Sequence, residues 1–182
     1  RRAALVTGTS EEIVASVRRR CSSTAAEVIT NGVDIDRFGP QYADDEARSL
    51  LGTHNRVTFI YAGVMGLAQG LDLILDVAAA VRDLTHVQFV LVGDGAKRES
   101  LKRRVEVENL HNVQLVRAQP KERIPALLAV SDVMFNVLKF AIPGAVPSKI
   151  YEAMGSSLPI LFAGEGEGVR RVLDARAGQV LP

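Results

Sequence analysis

The 182-residue sequence has one cysteine, no tryptophan and only three histidines. A lone Cys21 excludes an internal disulfide and fits a reducing compartment. No apolar run approaches the roughly 20 residues needed to span a bilayer. The opening "RRAALVTG" is strand-like and lacks the layout of a signal peptide. Charge of one sign is scarce too: 22 basic residues against 21 acidic ones leave a formal net charge of +1, so no global field points to a nucleic-acid partner. Two chemical signatures are missing. Without a G-x-G-x-x-G fingerprint a nicotinamide enzyme is disfavoured. With His54, His86 and His111 scattered and no second ligand at metal spacing beside any of them, no metal site is expected. The acidic pair Asp44–Asp45 lies in a polar stretch and reads as solvated.

What is present describes one well-buried domain. Hydrophobic residues make up 47% and charged residues 24%, a globular profile. The basic run "AKRESLKRR", Ala96 to Arg104, reads as a solvated helix face, with an anionic membrane surface as the rival reading. The chain opens on arginine rather than methionine and stops after the strand-like "AGQVLP". It therefore reads as a fragment, truncated at its C-terminus.

Strand and helix patterns alternate. "ALVTG" precedes Thr9, which with Glu12 forms the spacing of a capping box and predicts a helix toward Arg20. "EVIT" leads into the turn "NGVD", and a polar stretch "GPQYADDEARSLLGTHN" follows, with a boundary or hinge expected near residues 31–41. From Arg56 the rhythm is regular. "RVTFIYAG", "VQFVLVGDG", "NVQLV", "DVMFNVL", "LPILFAG" and "AGQVLP" read as buried strands. Between them lie helical patterns, such as Leu71, Ile74, Leu75, Ala78 and Val81, or "SKIYEAMG". Pro125 suits a helix start. The expected fold class is α/β, a Rossmann-like parallel sheet flanked by helices.

In such a sheet, ligands bind beyond the carboxyl ends of the strands. Three loops there could meet phosphate. "AGVMGLAQG" places Gly63 and Gly66 between a strand and a helix, and "VGDGAK" places Gly93 and Gly95 around Asp94. Glycines let backbone approach an oxyanion; each loop alone is equally well an ordinary βα turn. The third, "AIPGAVPSKIYEAMG", opens a helix at Ser148, a candidate N-cap. Lys149 adds a cation where the helix dipole favours an anion. Glu152, three residues on, shares its face and could accept bonds from ribose hydroxyls. The same pair is also consistent with a plain i,i+3 surface ion pair worth about 0.3 kcal/mol.

"VITNGVDIDRF", "FIYAGVMGLAQGLDLILDVA", "FVLVGDGAKRESLK" and "VPSKIYEAMGSSLPIL", in this order, resemble the C-terminal domain of group 1 glycosyltransferases of the two-domain GT-B architecture. The likeness runs from about Leu5 to Pro182. The "AQGLD" and "VPSKIYEAM" variants resemble a bacterial subgroup that transfers deoxyamino sugars from UDP-sugars in surface-polysaccharide synthesis. The resemblance implies that residues 1–28 are the tail of an acceptor-binding N-terminal domain and that residues 29–182 form the nucleotide-sugar-binding domain. It implies that Glu152 is the second glutamate of an E-x7-E motif, a ribose ligand. Gly144 stands where the first would fall, and Val64 and Gln69 replace the usual arginine and lysine of the first glycine loop. Lys149 would then carry the phosphate charge.

The implied activity is transfer of a sugar from a nucleoside diphosphate-sugar, UDP-linked, to a saccharide or lipid-linked acceptor. The acceptor would be held by the missing N-terminal domain. The donor is a substrate, with no further cofactor and no metal: amides, a helix dipole and basic side chains would stabilise the leaving diphosphate. The expected location is cytoplasmic, with peripheral contact at the inner membrane face, and the isolated fragment is expected to be inactive. Two other readings stay open: a non-catalytic nucleotide-sugar-binding module, and a sugar-nucleotide epimerase of similar fold.

Overall fold

The computed structural model describes residues 3–140 and 142–181. Ala141, within the third loop, and Pro182, at the end of the last strand-like run, lie outside the described residues. Two sheets are formed. A small one pairs β1 (Leu5–Gly8) with β2 (Ala25–Val28) in parallel, joined by α1 (Glu11–Arg20). The large one is six-stranded, in the order β5-β4-β3-β6-β7-β8. Its strands are β3 (Val57–Ala62), β4 (Val87–Val92), β5 (Val113–Val116), β6 (Val133–Val137), β7 (Ile160–Ala163) and β8 (Gly178–Leu181), all paired in parallel. The regular βα rhythm of the sequence dictates this, since parallel neighbours require long crossovers.

Both faces of the sheet are covered, so its strands are nearly continuous apolar runs. On one face α3 (Asp72–Ala80) and α4 (Arg98–Val107) enclose Tyr61, Ile74, Leu75, Phe89, Leu101 and Phe135. On the other, α2 (Asp45–Leu51), α5 (Ile124–Ala129), α6 (Lys149–Gly155) and α7 (Glu167–Asp174) enclose Leu51, Ile60, Val90, Leu127, Ile150 and Phe162.

Three expectations need correction. The helix after β1 is capped by Ser10, not Thr9: Ser10 has extended backbone and its Oγ accepts from Ile13 N. The polar stretch after residue 39 is not a bare linker, because it contains α2, whose Ala47 and Leu51 are fully buried. Asp44 is accordingly not merely solvated. It caps α2 by accepting from Ala47 N at 2.7 Å and pairs with Arg123 at 2.7 Å. These bonds hold its carboxyl below the usual carboxylate range, the Arg123 hydrogen bond first.

The basic run takes the solvated-face form, tied to neighbouring carboxylates. Lys97 pairs with Asp72 at 2.9 Å, and Arg104 pairs with Asp76 and, at 2.6 Å, with Glu108. Among the described residues no helix is long and apolar enough to cross a membrane.

Candidate nucleotide-sugar site at the switch point

The strand order places the site. From β3 the chain moves outward through β4 and β5, then returns to lay β6 on the other side of β3. The reversal opens a crevice beyond the carboxyl ends of β3 and β6, where doubly wound sheets bind ligands. The loop after β3 carries Gly63 and Gly66; the loop after β6 leads to Ser148, Lys149 and Glu152.

These two loops meet through Lys149. Its Nζ donates to the Tyr61 hydroxyl at 2.7 Å and stands 3.9 Å from the centroid of the same ring. Tyr61 Oη in turn donates to the carbonyl of Val64 at 2.7 Å, so the first glycine loop orients the ring that orients the lysine. Gly63, at φ +151°, makes room: a Cβ there would lie 2.9 Å from Lys149 Nζ. Among the described residues no carboxylate is in ion-pair contact with Lys149, and burial lowers its ammonium to about 8, only partly opposed by Glu152. Glu152 is half-buried, and its carboxyl is pushed up by burial against the pull of Lys149 and of Lys121. The Tyr61 phenol is pushed well up by burial.

Ser148 does not cap α6 with its side chain. Its backbone is already helical (φ −60°, ψ −29°), whereas a capping Oγ needs extended backbone to reach the next turn. The first turn is tightened instead, Ile150 N and Tyr151 N donating to Pro147 O and Ser148 O at 3.2 and 3.0 Å. Among the described residues the amides of Ser148 and Lys149 donate to no backbone carbonyl. Ser148 itself is exposed.

Gly93 and Gly95 line the neighbouring loop, but their role in the fold is close packing. A Cβ on Gly93 would stand 1.9 Å from Gly63 O, and one on Gly95 2.6 Å from Met65 O. Their loop and the first glycine loop are stitched together: Gly63 N donates to Val92 O (2.9 Å), Met65 N to Asp94 O (2.8 Å) and Lys97 N to Met65 O (2.9 Å). The amides of Gly63, Met65 and Lys97 are thereby engaged, Gly93 N donates to Val116 O at 3.0 Å, and the open backbone cradle expected of these glycines is narrowed. Gly66 is less constrained, since a Cβ there would meet only the movable end of Gln69 at 2.6 Å.

Two groups escaped the sequence reading. Tyr61 looked like one more apolar residue of β3, and only its polar hydroxyl, needing a partner when buried, marked it. Lys121 follows Pro120 with no periodic signal. A separate cleft of about 700 Å³ opens beyond β6 and β7, lined by Gly70, Asp72, Leu73, Lys139, Phe140 and Glu165 among others, without Lys149 or Glu152.

Residues 56–182 match the family model of "Glycosyl transferases group 1". The chain is 32% identical over 97 residues to a protein of Escherichia coli K12 described as the colanic acid biosynthesis glycosyl transferase WcaI, an alignment that spans 53% of this chain and 24% of that one. Among solved structures, HepE of Anabaena in complex with UDP and glucose superposes with a TM-score of 0.78 at 21% identity, covering 98% of this chain and 49% of that one. WaaG, a glycosyltransferase involved in lipopolysaccharide biosynthesis, gives 0.76 at 17%, covering 96% and 48%. The chain thus spans about half the length of these structures and a quarter of the curated relative. A six-stranded parallel sheet with the β3/β6 switch point, together with a family match over residues 56–182, places this chain among the group 1 glycosyltransferases, with the fold of their GT-B domains.

Proposed function

We propose that this domain holds the donor, a UDP-sugar, for transfer of the sugar to a saccharide or lipid-linked acceptor in cell-surface polysaccharide synthesis. Lys149 faces the diphosphate, joined by the amides of Ser148 and Lys149, and Glu152 accepts from ribose hydroxyls. Gly63, Gly66, Gly93 and Gly95 shape the walls by keeping side chains out of the loops. Residues 1–28 belong to an acceptor-binding domain whose remainder holds the acceptor, so the 182 residues alone transfer nothing. The protein works in the cytoplasm at the inner membrane face.

The observation that carries this reading is the half-buried ammonium of Lys149 at the switch point, held by the Tyr61 hydroxyl and, among the described residues, by no carboxylate. A desolvated cation with a neutral phenol as its hydrogen-bond partner gains most from an arriving polyanion. As the anomeric C–O bond breaks, negative charge accumulates on the departing diphosphate, and a preplaced cation and amides stabilise it without reorganising. Titrating the protein with UDP and with GDP by calorimetry tests this. Micromolar binding of UDP with weaker GDP supports it; heat from neither nucleotide refutes it.

A further inference from the structure

The loop between β6 and α6 is gripped from the far end of the chain. Gly144 is buried, and both polar groups of its residue are held by the start of α1. Its N–H donates to the Glu12 carboxylate at 2.7 Å, and its carbonyl accepts from Ser10 Oγ at 2.8 Å. Ser10 is 0% exposed and also caps its own helix. One hydroxyl therefore caps the start of α1 and fastens a residue 134 positions away. Glu12, by contrast, is exposed apart from this contact, so no packing requirement explains a carboxylate there.

Gly144 is fitted to the grip. Its φ is +72°, and a Cβ would stand 2.6 Å from Ile13 Cγ1, 2.7 Å from Ser10 Oγ and 3.0 Å from Ile13 N. Any side chain would push the loop off α1. The stretch from Gly144 to Lys149 has little freedom to absorb such a shift. Pro143 and Pro147 fix their own φ, Ala145 N closes a turn onto Ile142 O at 2.9 Å, and Val146 is buried. A tilt at Gly144 therefore reaches the start of α6.

We infer that Ser10 and Glu12 are positioning residues for the donor site: by clamping the Gly144 backbone from α1 they set where Ser148, Lys149 and Glu152 stand. This rests on the donor-site reading above. It also joins the β1–α1–β2 unit, which lies outside the six-stranded sheet, to the segment that meets the diphosphate.

The test compares Ser10→Ala, Glu12→Ala and Glu12→Gln, with UDP as the probe. Calorimetry reads affinity, and hydrogen exchange reads the amides of residues 144–149. Losing a charge-assisted bond to a backbone amide is worth about tenfold, so E12A weakens UDP by about tenfold and speeds exchange at Gly144. E12Q retains an acceptor oxygen and recovers most of the affinity, which a mere loss of charge would not allow. S10A, which also uncaps α1, is read at a temperature where circular dichroism shows it folded. UDP binding unchanged in E12A, or E12Q falling as far as E12A, overturns the clamp. If the unaltered protein binds no UDP, the donor reading falls instead. Exchange at Gly144 then still decides the contact: protection lost in E12A upholds it, and no protection in the unaltered protein overturns it.

Discussion

The ammonium of Lys149 rests on Tyr61 twice over, donating to its hydroxyl at 2.7 Å and lying 3.9 Å above its ring. The phenol supplies a dipole and a π face but no charge, so the lysine is placed without being neutralised. Tyr61→Phe keeps the ring and removes the acceptor. Lys149 then loses part of what compensates its burial, and its titration moves further below about 8. The pH above which UDP affinity declines should shift downward, with a stability loss of about 2 kcal/mol for the two hydrogen bonds removed. A pH series of titrations on the variant measures the first, denaturant unfolding the second.

The glycines of the two loops should respond unequally. Gly93→Ala must displace the Gly63 carbonyl, at 1.9 Å from the new Cβ, and adopt φ +153°. We expect a loss of about 3 kcal/mol or more, read from denaturant unfolding. Gly66→Ala meets only a flexible Gln69 tip, at φ −97°, and should fall within about 0.5 kcal/mol of the unaltered protein. Equal costs at both positions would contradict the loop-packing account.

Asp44 joins α2 to Arg123, and its carboxyl is held below the ordinary value. For a depressed carboxyl the stabilisation is present above the unfolded-state pKa and is lost as pH falls through the folded one. Acid unfolding of Asp44→Asn should therefore fall less steeply below about pH 4 than that of the unaltered protein. At pH 7 Asp44→Asn, which keeps a capping oxygen, should melt above Asp44→Ala. Thermal melts across pH 3–7 check both statements.

The large sheet was legible because its strands are buried on both faces and so appear as unbroken apolar runs; all six were expected where they occur. Helix α2 was not. Its apolar stripe is short, Ala47 with Leu50 and Leu51, and its flanks "DDEARS" resemble a solvated linker. The signals that could have found it were the ends: Asp44 as cap and Gly52 at φ +61° as stop. Within the candidate site, Gly63, Lys149 and Glu152 follow from loop position and spacing only as one of two even readings, which the resemblance tilts toward donor binding. Tyr61 and the Glu12–Gly144 contact do not, since each joins residues 88 or 132 positions apart that only the folded chain brings together. Ser148 was misread for a local reason: a helix opening behind two prolines begins with its first residue already helical.

The most direct measurement is a calorimetric UDP titration at pH 7.5 and pH 9, repeated on Lys149→Met. The free lysine titrates at about 8, and a bound diphosphate should hold it protonated to well above 9. Affinity should fall by about tenfold over that interval, with proton uptake on binding at the higher pH. The variant should bind at least about tenfold more weakly at pH 7.5 and show no such decline. Equal affinity at both pH values, or a Lys149→Met protein that binds UDP as the unaltered one does, would contradict the placement of the diphosphate at Lys149.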